Sequence, residues 1–418
     1  MLDRIFSQGL DLLALTMPIS IAATNIIFFP LGALWLFGAR WTWPRWPPVW
    51  GWPEKLFLIY LGTSLLSALV GLNILHSLRE IGNKDFYLVI AIVLVALVRT
   101  RDKQERLITI FMSAGLFTAV WGLIQYVIGV NIVDKSDPYF FHLPAALVHW
   151  PRWAINLLAM INGRVIGTRG HPLAYAECLL FNWAFAICFL LSCRGKKCIA
   201  WVGYLIFTGA ALLVSQSRGP WIAAAVIALL AMVTSPSRRT WLLAGIGIGF
   251  LTLFSAVPIL RVRALSILDR SNRSNSERMH MWHAGWQMWK SHPLLGIGPG
   301  NVKKVSIDYQ NAEERVWGPW GHLHSIYVNF LAERGTLGLL SFFLFMAALC
   351  RELHRAMRKS VGDPWKSAVY QASLLGVVGF LIGGLTEATY NTAVVIITFY
   401  FVVGLALAMA RHEKPPIV

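Results

Sequence analysis

Charge is scarce in this chain and unevenly signed. Only 14% of the 418 residues are charged, and 37 Lys and Arg outnumber 20 Asp and Glu, giving a formal charge of +17. With 56% hydrophobic residues and a mean hydropathy of +0.58, the composition excludes an ordinary soluble domain, whose core does not need so many long uncharged runs. Strict apolar/polar alternation is missing as well, which argues against a β-barrel. Cysteine is sparse. Cys178, Cys188 and Cys350 fall in apolar runs, and Cys193 and Cys198 bracket the basic turn Arg194-Gly195-Lys196-Lys197. None falls in an external loop, so no disulfide framework is expected. The Cys-x4-Cys spacing lacks the neighbouring histidines of a metal site. There is no His-Glu-x-x-His pattern, Asp-x-Asp pair or EF-hand loop, and nothing in the sequence calls for a metal or another cofactor. No cleavable signal peptide is expected, because Met1–Leu10 has neither a basic start nor a small-residue cleavage site.

What is present is a repeated apolar run. A bilayer core of ~30 Å takes roughly 20 apolar residues per helix. The runs at Gly9–Ala22, Asn25–Ala39, Lys55–His76, Phe86–Val98, Arg106–Gly129, Pro172–Leu191, Ile199–Val214, Gly219–Val233, Trp241–Leu260, Ser325–Cys350, Ser367–Ala388 and Thr392–Ala410 predict an all-α polytopic membrane protein of about twelve transmembrane helices. Residues 1–260 hold the first nine, with an external loop near 130–171. Residues 261–323 form a large external loop with an amphipathic helix. Residues 324–418 hold the last three.

The short loops set the orientation. Arg4, Arg40, Arg45, Lys55, Arg99, Arg101, Lys103, Arg106, Arg194, Lys196, Lys197, Arg238, Arg239, the cluster from Arg351 to Lys366, Arg411 and Lys414 lie on one side. The short loops of the other side carry only Arg79, Lys84 and Arg218. The positive-inside rule makes the first side cytoplasmic and puts both termini inside. Basic residues scattered over membrane loops do not make a nucleic-acid surface; anionic headgroups are their expected partners. The large external loop is also basic, with Arg261, Arg263, Arg270, Arg273, Arg278, Lys290, Lys303, Lys304 and Arg315 against Asp269, Glu277, Asp308, Glu313 and Glu314. It suits an anionic substrate; the plainer reading is a solvated basic loop.

Three external elements are candidates for a site. The turn Ser215-Gln216-Ser217-Arg218-Gly219-Pro220-Trp221 holds Arg218 close to the bilayer edge, where its planar fork of donors suits phosphate oxygens; snorkelling to headgroups is the alternative. The segment Ser274-Asn275-Ser276-Glu277-Arg278 has capping-box spacing at Ser274 and Glu277. It opens a helix whose Met279, Trp282, Trp286 and Trp289 form one apolar face. Arg278 in its first turn runs against the helix dipole, a cost that a bound anion explains. His280, His283, Gln287 and Lys290 read as its solvated stripe. Next comes the glycine-rich turn Leu294-Leu295-Gly296-Ile297-Gly298-Pro299-Gly300-Asn301. It is a candidate phosphate cradle but not a dinucleotide fingerprint, since no strand precedes it and Pro299 interrupts it.

The third element is His324, at the external start of a membrane helix. The helix end disfavours a protonated ring and attracts anions, so His324 is a general base, a diphosphate ligand or a capping residue. Gly335 and Gly338 follow at nearly whole helical turns and are expected on its face, allowing close approach of a helix or a lipid chain. Glu177, Glu333, Arg334 and Glu387 are ionisable residues in or near the membrane, expected to line a polar cavity or to pair within the bundle.

His324-Ser325, nine residues and then Gly335-x-x-Gly338 resembles the histidine signature of bacterial O-antigen ligases. Ser217-Arg218-Gly219 resembles that family's arginine turn. Arg278, Trp282 and the run His292–Asn301 resemble the start of its large periplasmic loop. The resemblance runs by motif from about Gly163 to Gly338 and by topology over the chain. It is more specific for the O-antigen ligase and polymerase superfamily than for its ligase branch. It implies a membrane glycosyltransferase fold of GT-C type in the bacterial inner membrane, with a periplasmic active site. The donor would be a glycan on undecaprenyl diphosphate and the acceptor the lipid A–core of lipopolysaccharide, with no metal or nucleotide. Arg218 and Arg278 match the donor-diphosphate arginines and His324 the essential histidine. Arg169 and His171, in Arg169-Gly170-His171-Pro172, are a looser match as supporting residues. Polymerase and protein O-oligosaccharyltransferase are the near alternatives. A secondary transporter for an anionic solute is the alternative of another class, although no convincing internal repeat of the kind transporters carry is found.

Overall fold

The computed structural model of the chain describes residues 2–38, 51–132, 159–161, 163–234, 239–269, 271–311 and 319–412. Arg40, Arg45, Arg238, Arg270, Glu313, Glu314, Arg315 and Lys414, and most of the loop near 130–171, lie outside those residues.

The centre of the bundle is made by the helices that are apolar all round. Pro172–Ser192 and Ala393–Arg411 are buried along almost their whole length, which is where a helix without a polar face belongs. Pro364–Gly383 packs on Pro172–Ser192, Leu88–Leu97 on Ala393–Arg411, and Trp52–Val70 on Ile326–Lys359. Thr240–Ala256 is equally apolar, yet Leu243 is its single buried residue. An exposed apolar surface of that extent is suited to lipid.

Among the described residues, seven helices are long and apolar enough to cross a membrane: Trp52–Val70, Arg101–Ile128, Pro172–Ser192, Lys197–Val214, Ile326–Lys359, Pro364–Gly383 and Ala393–Arg411. An eighth span arises if Thr240–Ala256 and Pro258–Leu265 count as one, and Ile21–Leu34 and Arg218–Thr234 are shorter apolar helices. The chain is therefore a polytopic helical protein, and every expected run has a helix at or near it. The first is displaced: the helix is Leu2–Thr16 and ends before Pro18. Its Asp11, which breaks the apolar run in the sequence, is paired with Arg106 at 2.7 Å.

Three departures from the expected architecture bear on the site. First, the span expected to end at Leu260 breaks at Val257, which is held extended ahead of Pro258 as a pre-proline residue prefers. The chain turns by 96° there, and the second half carries Arg263 to the turn at Gln216. Second, a small three-stranded sheet joins Val130–Ile132, Ala159–Ile161 and Arg164–Val165. The first pair is parallel and the second antiparallel, with Ile161 opposite Arg164. Third, Ile326–Lys359 is not continuous. Gly335 has φ +66° and ψ −169° inside it, so Gly335 and Gly338 do not extend the face of His324; whole-turn periodicity stops at the break.

That break is filled by the glycine-rich turn. The N–H groups of Ile297 and Gly298 donate to the carbonyls of Ala332 and Glu333 at 3.0 and 2.9 Å, and those of Thr336 and Leu337 donate to Pro293 and Leu294 at 2.9 and 3.1 Å. Backbone groups freed in a membrane must find partners, and here the turn supplies them. Those N–H groups are consequently committed and do not form a phosphate cradle. A Cβ on Gly335 would collide with the Leu294 carbonyl.

Three of the four ionisable residues expected in or near the membrane, Glu333, Arg334 and Glu387, separate into two groups. Arg334 lies against Asp85 at 3.5 Å and Glu333 at 3.7 Å. Tyr60 and Tyr390 donate to Asp85 at 3.0 and 2.5 Å, and Arg334 Nε donates to Ser64 at 3.1 Å. This buried network ties the broken helix to Trp52–Val70. Glu387 belongs to the cavity described below. Cys193 and Cys198, unpaired in the sequence reading, are disulfide-bonded across their turn, with Cα atoms 5.7 Å apart.

Candidate active site

A cavity of about 680 Å³ opens where the Arg218 turn, the Arg278 helix, the His324 segment and the Glu387 turn converge. Each wall has a local reason. Arg218 begins the helix Arg218–Thr234, and the turn before it is held by its neighbours. Arg164 donates from Nε to Ser215 O at 3.2 Å and from Nη2 to Ser217 Oγ at 3.0 Å. Arg263 Nε donates to Gln216 O at 3.2 Å. Arg218 itself donates from Nη1 to Ser266 O at 2.8 Å and from Nη2 to Ser274 Oγ at 3.3 Å.

Ser274 also accepts from Arg278 Nη1 at 3.0 Å, so one hydroxyl bridges the two predicted arginines. The expected capping box is not formed. The helix Arg273–Ser291 starts at Asn272 without a side-chain cap, and Glu277 pairs with Arg273 at 2.9 Å. The expected apolar face is also turned. Ala284, Gly285 and Met288 are the buried residues, packed beside Leu323 and Val328. Met279 and Trp286 are exposed, and Trp282 lines the cavity. Small residues allow the close docking that the tryptophans would prevent.

His324 precedes the helix rather than capping it. Ser325 is the N-cap and accepts from Val328 N at 3.5 Å. His324 has φ +46°, a left-handed conformation that costs of order 1–3 kcal/mol unless its surroundings enforce it. Here its N–H donates to His322 Nδ1 at 3.3 Å, and its ring Nδ1 meets Glu387 Oε2 at 2.7 Å. A carboxylate only accepts, so Nδ1 carries the hydrogen and a neutral ring keeps its lone pair on Nε2. The other oxygen, Glu387 Oε1, is paired with Arg278 Nη2, and Arg278 Nε donates to Thr386 O at 3.1 Å. Glu387 is nearly buried. Burial pushes its carboxyl up, but the opposing hydrogen bond and charge of His324 and the charge of Arg278 outweigh it and hold the group below the usual range.

Four arginines therefore line one cavity, Arg164, Arg218, Arg263 and Arg278, against two carboxylates, Asp269 and Glu387. The excess of two positive charges is unfavourable in itself. The guanidinium of Arg164 is pushed down to about 10, by burial first and then by Arg263, with Arg218 and Arg278 adding to it. Like charges held together at this density are the arrangement of an anion site.

Among the predicted residues, His324, Arg218, Arg278 and His171 all line this cavity. His171 caps the helix Pro172–Ser192, its Nδ1 accepting from Leu173 N at 3.3 Å. Arg169 is not among the lining residues. Its guanidinium is buried, with no hydrogen-bond partner for Nε among the described residues, and burial lowers its pKa. Gly335 and Gly338 stand apart from the cavity, at the helix break. Arg164 and Arg263 were not singled out from sequence. Arg263 was one basic residue among many in its loop, and nothing local marks Arg164. Among the described residues no group of three or more His, Cys, Asp or Glu side chains is placed to hold a metal ion.

Fold and cavity together define a polytopic helical membrane protein with a cationic site that includes a histidine–carboxylate pair. A family model described as O-antigen ligase matches residues 203–343. This match supports the resemblance to the O-antigen ligase family, and Arg218, Arg278, His324, Gly335 and Gly338 all lie within it. Arg263 lies within the matched residues; Arg164, His171 and Glu387 lie outside them. Over those residues the chain is similar to O-antigen ligases. A search of curated proteins gives no match.

Proposed function

We propose that the protein is an O-antigen ligase that transfers a glycan from undecaprenyl diphosphate to lipid A–core at the periplasmic face of the inner membrane. The observation that carries this reading is the excess of two positive charges around the cavity, beside the paired ring of His324. A diphosphate diester carries about two negative charges and gains a third as the bond to the sugar breaks. Fixed guanidinium groups stabilise that charge as it develops, and Arg supplies the planar fork that phosphate oxygens match. In the reaction, the acceptor hydroxyl oxygen bonds to the anomeric carbon as the bond to the diphosphate oxygen breaks. The bonding pair goes to the diphosphate, and the hydroxyl proton goes to His324 Nε2. Attack from the face opposite the leaving group inverts the anomeric centre. Glu387 holds the ring by Nδ1 and stabilises the imidazolium that forms.

The twelve-pass architecture belongs to this proposal. Seven long spans, the bent pair, the two shorter apolar helices and the helices Leu2–Thr16 and Leu88–Leu97 are enough to supply it. So do cytoplasmic termini and a GT-C-type fold. A polymerase or protein O-oligosaccharyltransferase would use the same chemistry with another acceptor. A helix broken beside ionisable residues is a transporter feature, but here the break is occupied by the chain's own glycine-rich turn.

The test is transfer by the purified protein from lipid-linked glycan to lipid A–core. Product should form in EDTA, and Arg218→Ala and Arg278→Ala should lose it while remaining folded. His324→Gln should still bind donor and be inactive. A protein that forms no covalent product is not a ligase. If His324→Ala loses donor binding, the histidine belongs at the diphosphate and is not the base.

A further inference from the structure

A second cavity, of about 760 Å³, lies at the other end of the bundle. The helix Pro172–Ser192 has His171 at the first cavity and Ser192 at this one. At 1.5 Å per residue its 21 residues cover about 30 Å, the thickness of a bilayer core. The two cavities thus open toward opposite faces of the membrane.

The second cavity is a groove with a charged mouth and an apolar interior. Its mouth carries Arg101, Arg194 and Lys197 against Glu105 and Asp363. Arg101 already pairs with both carboxylates, at 2.6 Å each. Arg194 and Lys197 are exposed and make no ion pair among the described residues. The mouth is left with one positive charge in excess. Three helices, Arg101–Ile128, Lys197–Val214 and Pro364–Gly383, begin beside it, and their N-termini add to the positive potential. Below the mouth the walls are Ile108, Met112, Leu116, Phe189 and Trp201. From Arg101 to Leu116 the groove follows fifteen residues of helix, about 22 Å, deeper than the ~15 Å of one leaflet.

We propose that this groove binds an anionic glycerophospholipid, its phosphodiester at Arg194 and Lys197 and an acyl chain along the wall from Ile108 to Leu116. A basic pocket between membrane helices is suited to such a headgroup. The single excess charge matches one phosphodiester, and a zwitterionic headgroup would bring its own cation to a mouth that is already positive. The groove is remote from the first cavity, and this proposal stands whether or not that cavity catalyses glycan transfer.

The test uses the purified full chain in detergent, offered equimolar phosphatidylglycerol and phosphatidylcholine and read by native mass spectrometry. Phosphatidylglycerol should be retained about thirtyfold over phosphatidylcholine, in line with two basic groups at a membrane surface. The double variant Arg194→Glu, Lys197→Glu should abolish the preference. Ser113→Trp, which fills the exposed wall of the groove, should reduce retention of both lipids. Glycerol 3-phosphate, a headgroup without chains, should not bind. Equal retention of the two lipids by the wild type overturns the proposal. So does a preference that survives both variants, because the lipid then sits elsewhere. Binding of glycerol 3-phosphate as tight as that of the lipid would make the mouth a simple anion site and overturn it as well.

Discussion

Replacing Glu387 by Gln separates the chemistry of the cavity from its architecture. The carboxylate accepts from His324 Nδ1 at 2.7 Å and is paired with Arg278, and its side chain is 7% exposed. Gln keeps the size and one acceptor but loses the charge. A hydrogen bond to a charged group contributes about 1.5–3 kcal/mol, and two such bonds are weakened together. If His324 takes the acceptor proton, the resulting imidazolium loses its counter-charge at the transition state. Allowing for the bond that Gln retains, the barrier should rise by about 2–4 kcal/mol, a loss of about 30- to 1,000-fold in turnover. Donor binding should behave differently. Arg278 is released from its carboxylate and the cavity gains positive charge, so affinity for the lipid diphosphate should hold or tighten. The measurement is turnover at saturating donor alongside direct donor binding, with Glu387→Asp as the conservative control. Turnover within threefold of wild type would refute the role of Glu387, as would a fall in donor binding that matches the fall in turnover.

Two further predictions concern the helix break at Gly335 and the segment before His324. Gly335→Ala should cost about 2 kcal/mol or more in stability, because its φ of +66° is left-handed and the new Cβ meets the Leu294 carbonyl; an unchanged melting temperature would mean that the helix is not broken there. His322 is pushed down to about 4, by burial first and then by the charge of His324. Its folded form refuses a proton that the unfolded chain accepts near 6.5, so its contribution to stability is full above that pH and is lost as pH falls toward 4. His322→Gln should flatten the pH dependence of thermal stability in that window, and an identical profile for both proteins would remove His322 as its source.

Much of this arrangement was legible in the sequence because it rests on local signals. Long apolar runs mark the helices, and Arg218, Arg278 and His324 stand at the points where such runs begin or where a polar loop becomes helical. Most of the misreadings around the site share a physical origin, since they depended on contacts distant in the chain. Gly335 and Gly338 fit a helical period, and a period is blind to a backbone break until the partner that satisfies the freed carbonyls is known. That partner, the turn at 296–298, lies nearly forty residues earlier and spends its N–H groups on Ala332 and Glu333. The Ser274–Glu277 spacing suited a capping box, but Ser274 is drawn off by Arg218 and Arg278, a competition no local pattern expresses. Arg164 and Arg263 come to the cavity through a two-residue strand and a 96° bend, and both are among its lining residues only after the fold is assembled. Glu387 was recognisable as costly in or near a membrane, yet its worth depends on an Arg and a His that lie 109 and 63 residues away. The ends of helices announce where single charges can stand. Which of those charges face one another is decided by packing, and the catalytic proposal rests on that pairing.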